Sequence, residues 1–319
     1  MTQENNARTD SPLRVGVIGM GPVGSIIAAH LQDAGAFVVP CEVDPTIAKA
    51  IKSKGITLTH AIEKHVEIPN IAHSIHELAV FDPDVVIVAT KTPVLQKVVA
   101  SISEIDNGAL HVLVAQNGID NEQIVARVVG EERTSRMVIN FAGVSAEPNI
   151  VHVSFFNPPN YIAALLMHGE QMVDRIVALF NSVNLFSEVP HDIQDHVWEK
   201  AILNAALSPV CAITRRTMKD VLDFPQGQEL IEAIIDESVR VATAEGLELD
   251  KKFRRFSLRY LKNAGHHRPS MLTDLEAGRR TEIDQLNGCI AEYGKKHHIP
   301  TPLNLSIAEI VRMLERNGK

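Results

Sequence analysis

From Leu13 to about Pro190, short runs of consecutive apolar residues alternate with stretches whose apolar positions recur every three to four residues. LRVGVIG (13–19) predicts a strand, and SIIAAHLQDAG (25–35) a helix with Gly35 as its C-terminal stop. AFVVPCE predicts a second strand ending at Glu42. VVIVAT (85–90) and HVLVAQN (111–117) are apolar nearly throughout, as strands of a parallel sheet covered on both faces must be. MVINFAG (137–143), the run from Ile150 to Phe155, and YIAALLMHG (161–169) predict three more strands. Between Glu170 and Val183, Val173, Ile176, Val177 and Phe180 fall at helical spacing. Alternating strands and helices predict a right-handed, doubly wound α/β domain of the Rossmann type over residues 13–190.

After His191 the strand pattern stops and helical periodicity takes over: Ile193–Ile213, Gln226–Glu245, Lys251–Asn263, and Ser270 to the end with one break. Ile231, Ile234, Ile235 and Val239 form one apolar stripe, and Gly246 closes that helix. Residues 191–319 therefore predict an all-helical second domain for substrate and catalysis. Residues 1–12 are polar, with no apolar segment directly behind them, and read as a disordered tail, not a secretory signal.

Composition narrows the function. Lys and Arg number 31 against 39 Asp and Glu, a formal charge of −8 that speaks against nucleic acid as a partner. No apolar run reaches the ~20 residues of a membrane span. Cys41, Cys211 and Cys289 are odd in number and far apart, which fits reduced thiols in a cytoplasmic protein. The adjacent pairs His266–His267 and His297–His298 have poor spacing for a metal on a helix, so no metal site is expected.

Four clusters could carry chemistry. Gly19-Met20-Gly21-Pro22-Val23-Gly24 follows a strand and opens a helix, the context in which G-x-G-x-x-G binds a dinucleotide pyrophosphate. Gly19 permits the turn, Gly21 lets backbone approach the phosphates, and Gly24 lets helix pack on strand. Glu42, with Asp44 two residues on, is placed to accept from the hydroxyls of an adenosine ribose; its plain alternative is a solvated loop acid. Lys200, Asn204 and Ser208 recur every four residues, so one helix face carries an ammonium, an amide and a hydroxyl. Lys200 reads either as a partly desolvated general acid or as a snorkelling lysine. Pro209 should leave the Ala205 carbonyl without its helical donor. In Arg268-Pro269-Ser270-Met271-Leu272, Ser270 reads as a helix cap. Thr281-x-x-Asp284 reads as a capping box restarting a helix whose first turn holds Glu282.

The glycine loop, ATK ending at Lys91, QNG containing Asn117, WEKAILN with Lys200 and Asn204, and PSMLTDLEAGRRTEIDQLNG occur in one order. In this the chain resembles the ketopantoate reductases (2-dehydropantoate 2-reductases), over about residues 13–310. The resemblance implies reduction of a branched 2-oxo acid by hydride transfer from a nicotinamide cofactor, a step of pantothenate biosynthesis. It implies that Lys200 is the general acid, that Asn204 holds the substrate, that Ser270 holds its carboxylate, and that Glu282 bridges cofactor and active site. Lys91 and Asn117 would lie at the nicotinamide end of a cleft.

Two positions depart from the family pattern. NADP-dependent members carry an Arg just after the second strand, where this chain has Val43 behind Glu42, so NAD(H) is expected over NADP(H). The family commonly has Asn four residues beyond the one matching Asn204; Ser208 stands there. Ketopantoate is the first candidate substrate, and Ser208 leaves open one that departs from it in the part far from the carboxylate. An NAD-dependent D-2-hydroxy-acid dehydrogenase on the same scaffold is the nearest rival. A silent NAD(H)-binding regulator is opposed by the presence of Lys200 and Glu282. Apolar helices in the second domain would allow a homodimer.

Overall fold

The computed structural model describes residues 11–249, 252–263 and 265–316; of the segment read as a tail, residues 1–10 lie outside the described residues. The chain folds as two compact units. The first runs through Thr90 and includes Val94–Gln116 and Glu122–Ile193. The second collects Lys91–Pro93, Asn117–Asn121 and everything from Gln194 onward.

The first unit is built on two sheets. Strands β1 (Arg14–Ile18), β2 (Phe37–Cys41), β3 (Ile56–His60), β4 (Lys64–Val66), β5 (Val85–Val88) and β6 (His111–Val114) are followed by β7 (Thr134–Val138), β8 (Phe141–Glu147), β9 (Ile150–Phe156), β10 (Asn160–Ala164) and β11 (Ser187–Glu188). Seven of them make one sheet in the order β11-β10-β7-β6-β5-β1-β2. From β7 to β2 every pairing is parallel, whereas β10 runs antiparallel to β7. All four residues of β5 are buried, as the unbroken apolar run requires of a strand covered on both faces. Helices α1 (Pro22–Asp33), α2 (Pro45–Lys54), α3 (Ile75–Leu78), α4 (Leu95–Ile105), α5 (Asn121–Val129) and α6 (Glu170–Ser182) connect and cover these strands.

The second sheet, ordered β4-β3-β9-β8, differs from the sequence reading. MVINFAG is two strands, not one. The chain breaks at Ile139–Asn140, where the Asn160 side chain accepts from the Asn140 amide at 2.8 Å, and then enters the other sheet. The run after Tyr161 stops at Ala164 because its partner β7 ends there, Ala164 pairing with Ser135. Met167–Gly169 is a 3-10 turn with Met167 exposed.

The second unit is helical: α7 (Ile193–Thr214), α8 (Met218–Leu222), α9 (Pro225–Ala244), α10 (Phe253–Asn263), α11 (Ser270–Glu276), α12 (Asn287–Lys296) and α13 (Pro302–Arg316). Trp198, Ala201, Ile202, Ala205, Ala206 and Leu207 are all buried, so α7 is the central helix of this core. Ile231, Ile234 and Ile235 of α9 face it from the same cluster, and Gly246 ends α9 at φ +94°. No helix among the described residues is long and apolar enough to cross a membrane.

Candidate active site

In the first unit the glycine loop joins β1 to α1. Gly19 sits at φ +92°, a conformation open to glycine and costly for a side chain. A Cβ on Gly24 would lie 1.9 Å from the Gly19 carbonyl oxygen, so only glycine lets the helix start this close to the strand. Around Gly21 a Cβ would meet nothing within 4 Å. Pro22 occupies the first helical turn, where its missing N–H costs nothing, and Val23 packs partly against the core. The loop leaves free N–H groups at the start of α1, which suits an anion.

Glu42, just beyond β2, is buried, and both its oxygens are engaged. Oε2 accepts from the Met20 amide and Oε1 from the Asp44 amide, each at 2.9 Å. The carboxylate thus ties the glycine loop to the turn after β2. Asp44 caps α2, its carboxylate accepting from Thr46 N at 2.8 Å and Ile47 N at 3.4 Å. Val43 projects between them, 79% exposed, and Lys49 is exposed on α2.

The second unit contains a small cavity lined by Asn204, Ser208, Ser270, Met271, Asp274, Glu282 and Leu286. Helix α7 contributes Asn204 and Ser208 from successive turns, and α11 contributes Ser270 and Asp274 by the same spacing. Lys200, half-buried, lies one turn before Asn204 on α7 and does not line the cavity itself. Ser270 is the first residue of α11, and no side chain caps that helix; the serine is exposed and does not serve as the expected cap. The expected capping box at Thr281 does not form either. The Thr281 amide and hydroxyl both donate to Glu315 Oε1 at 2.7 Å, and the chain makes only a 3-10 turn at Ile283–Gln285 before α12. Glu282 precedes that turn instead of lying within a helix.

Glu282 is nonetheless firmly placed. It is buried, and the Thr92 hydroxyl reaches its Oε1 at 3.2 Å and the Asn117 carbonyl at the same distance. Asn121 Nδ2 also donates to the Asn117 carbonyl, at 2.7 Å. The Asn117 side-chain oxygen, by contrast, is buried with no donor among the described residues. A buried acceptor without a donor is expensive, and a hydroxyl or amide of a bound ligand would satisfy it.

Asp274 is a site residue that the sequence reading quoted without a role. Its carboxylate is 3% exposed and takes Lys91 Nζ at 2.8 Å on one oxygen and the Arg279 guanidinium, Nε at 3.0 Å, on the other. Two cations on one buried carboxylate leave one positive charge over on the Asp274 cluster, which offsets the Glu282 carboxylate in the same cavity lining. Its signal was the spacing from Ser270. Thr92 was likewise missed, although it follows Lys91 directly. Among the described residues no three His, Cys, Asp or Glu side chains gather as a metal site requires.

Comparison with known proteins bears directly on this arrangement. The family model described as ketopantoate reductase PanE/ApbA matches residues 15–165, and its C-terminal counterpart matches residues 192–315. A 2-dehydropantoate 2-reductase of Pyrococcus abyssi is 26% identical over 305 residues, covering 94% of this chain and 97% of the relative. That of Archaeoglobus fulgidus is 28% identical over 312 residues, covering 95% and 98%. Among solved structures, a PanE/ApbA family ketopantoate reductase from Ralstonia eutropha superposes with TM-score 0.86 at 24% identity, covering 96% of this chain and 99% of that one. A D-mandelate dehydrogenase solved with NADH and anilino(oxo)acetate gives 0.83 at 22%, with the same coverage.

Proposed function

The chain belongs to the ketopantoate reductase family of NAD(P)H-dependent oxidoreductases, and from that premise we propose that it reduces a branched 2-oxo acid to the 2-hydroxy acid, with NADH as the preferred donor. The observation that carries this reading is the cavity of the helical unit. An amide and two hydroxyls, from Asn204, Ser208 and Ser270, converge there beside a buried carboxylate held between two cations.

The glycine loop and its helix start fit a dinucleotide pyrophosphate, and the unsatisfied oxygen of Asn117 fits a cofactor hydroxyl or amide. Gly19, Met20, Gly21, Pro22, Val23 and Gly24 would hold the pyrophosphate, Glu42 the ribose, and Lys91, Asn117 and Glu282 the nicotinamide end. A bound reduced nicotinamide supplies the hydride. Lys200 delivers the proton to the carbonyl oxygen as negative charge builds on it. Ser270 donates to the substrate carboxylate, and Asn204 positions the 2-oxo group. Thr92 holds Glu282 in place, leaving the other carboxylate oxygen for the ligand or for Lys200.

NADH is favoured because Glu42 keeps two of its four lone-pair positions for backbone amides and has the rest for ribose hydroxyls. The 2′-phosphate of NADPH would meet that carboxylate, with Val43 where a compensating cation would be needed. Ketopantoate is the first candidate substrate. A second reading, a D-2-hydroxy-acid dehydrogenase of another substrate, is favoured by Ser208, which offers one donor where an asparagine offers two. The cavity's remaining walls, Met271 and Leu286, would accept an apolar branch.

The test is a panel of 2-oxo acids, including ketopantoate and 2-oxoisovalerate, assayed with NADH and NADPH separately. Reduction of at least one, with kcat/KM for NADH higher by about 10-fold, is expected from the like charges of the 2′-phosphate and the Glu42 carboxylate. No oxidation of either cofactor with any member would overturn the reading.

A further inference from the structure

Pro209 lies inside α7 and has no N–H, so the Ala205 carbonyl loses the donor that any other residue would provide. The structure supplies another. Asn287 Nδ2, at the start of α12, donates to Ala205 O at 3.0 Å, and both residues are fully buried. Ala205 is flanked by Asn204 on one side and lies three residues before Ser208, and both of those line the cavity. Asn287 follows Leu286, which also lines the cavity. The bond therefore ties together two segments that line the cavity, at the turn of α7 that lacks a helical donor.

The direction of this bond is imposed from further off. An asparagine can turn either its amide or its oxygen toward a neighbour, and only the second can be refused by a carbonyl. Glu237 on α9 is buried and receives donors only: Leu303 N at 3.1 Å, Asn304 N at 3.0 Å and Asn304 Nδ2 at 3.0 Å. A carboxylate so placed draws the amide group of Asn304 toward itself and turns Asn304 Oδ1 the other way. That oxygen accepts from Asn287 Nδ2 at 3.0 Å. Asn287 is thereby forced to present its amide group, and both hydrogens are used: one on Asn304, the other on Ala205. Glu237, Asn304 and Asn287 pass one orientation through three side chains to the kink.

We propose that Asn287 is a positioning residue that holds the proline-kinked turn of α7, and with it Asn204 and Ser208, in the geometry the substrate needs. Asn304 and Glu237 set its orientation. The proposal rests on the reading of this cavity as the 2-oxo acid site, and its test has an arm that does not.

Asn287→Leu removes the donor at similar volume. In hydrogen exchange the amides of residues 203–210 should then exchange at least about 10-fold faster, while those of α1 keep their rates. In steady-state kinetics KM for the 2-oxo acid should rise at least ~5-fold, the scale of one hydrogen bond, with KM for the nicotinamide cofactor within about 2-fold. Combined with Asn204→Ala, the loss in kcat/KM should fall short of the sum of the single losses, because both variants disable the same contact. Unchanged exchange in residues 203–210, or losses that add in full, would overturn the proposal. If the wild-type protein turned over no 2-oxo acid, the functional reading would fail and the exchange arm would still decide the brace. Should Asn287→Leu not fold, Glu237→Gln combined with Ser238→Ala decides it: without the carboxylate and without the Ser238 hydroxyl that accepts from Asn304 Nδ2 at 3.4 Å, the orientation of Asn304 is no longer dictated, so exchange in residues 203–210 should accelerate in the same direction. Wild-type rates there would refute the relay.

Discussion

Glu42 shows how a residue's structural partners stay hidden in a sequence. Its place at the end of β2 predicts a ribose-binding acid, yet the structure also makes it a clasp between the Met20 and Asp44 amides. Those backbone partners leave no trace in a one-dimensional pattern. The clasp changes the proper test of cofactor preference. Replacing Glu42 outright would free the Met20 and Asp44 amides and loosen the loop for either cofactor, whereas Val43 is exposed and can be changed alone. Val43→Arg should therefore raise kcat/KM for NADPH relative to NADH by about 10-fold or more, through a charge-assisted contact to the 2′-phosphate. Glu42→Gln, which loses one acceptor oxygen and the repelling charge together, should weaken NADH and narrow its advantage over NADPH. Paired initial-rate measurements with both cofactors check this, and a Val43→Arg enzyme with an unmoved ratio would show that residue 43 does not face the ribose.

At the level of elements, the glycine loop separates into positions with different duties. A methyl at residue 24 would drive into the Gly19 carbonyl, whereas one at residue 21 would enter open space. Gly24→Ala should lower the melting temperature, at an overpacking penalty of about 1–3 kcal/mol, and weaken NADH binding as well. Gly21→Ala should leave melting unchanged and raise the NADH Kd, because its methyl stands where the phosphates approach. Thermal melts with fluorescence titration distinguish the two; a Gly21→Ala protein that binds NADH normally would remove that residue from the cofactor site. The same scale shows where pattern reading ran out. Strand β5 was legible because all its residues are apolar and buried, and α7 because its apolar positions recur at helical spacing over 22 residues. Strands β3 and β4 passed unnoticed, since ITLTH and KHV mix polar with apolar residues and, over so few positions, their alternation does not declare itself. Ser270 and Thr281 were read as caps from residue type alone. The distant Glu315 that claims Thr281 could not be foreseen from the local sequence.

Across the whole molecule, Asn204 and Ser208 on α7 line one cavity with Ser270 and Glu282 from more than sixty residues on, whereas Asp274 and Thr92 drew no attention because their partners, Lys91 and Glu282, come from distant segments. Global stability has a pH dependence of its own. His30 is buried in α1 with Nδ1 against the Ile26 carbonyl at 2.7 Å, and burial pushes its pKa down to about 4. The unfolded imidazole takes a proton below about 6.5, so between pH 6.5 and 4 the unfolded state binds more protons. Stability should therefore fall as pH drops through this window, by at most about 1.4 kcal/mol per unit from this one group. Burial lowers the pKa of His111 and His267 as well, so they act in the same direction. His30→Gln, which keeps a side-chain donor, should flatten the slope of urea midpoint against pH in that range, and an unchanged slope would assign the effect elsewhere. The central claim, that the helical unit supplies the proton for 2-oxo acid reduction, is tested most directly by the turnover of Lys200→Ala with saturating NADH and whichever 2-oxo acid the wild-type enzyme reduces best. The account predicts a kcat lower by at least ~10²-fold, the usual contribution of a positioned acid, with the NADH Kd little changed; a variant retaining more than half of wild-type turnover would contradict it.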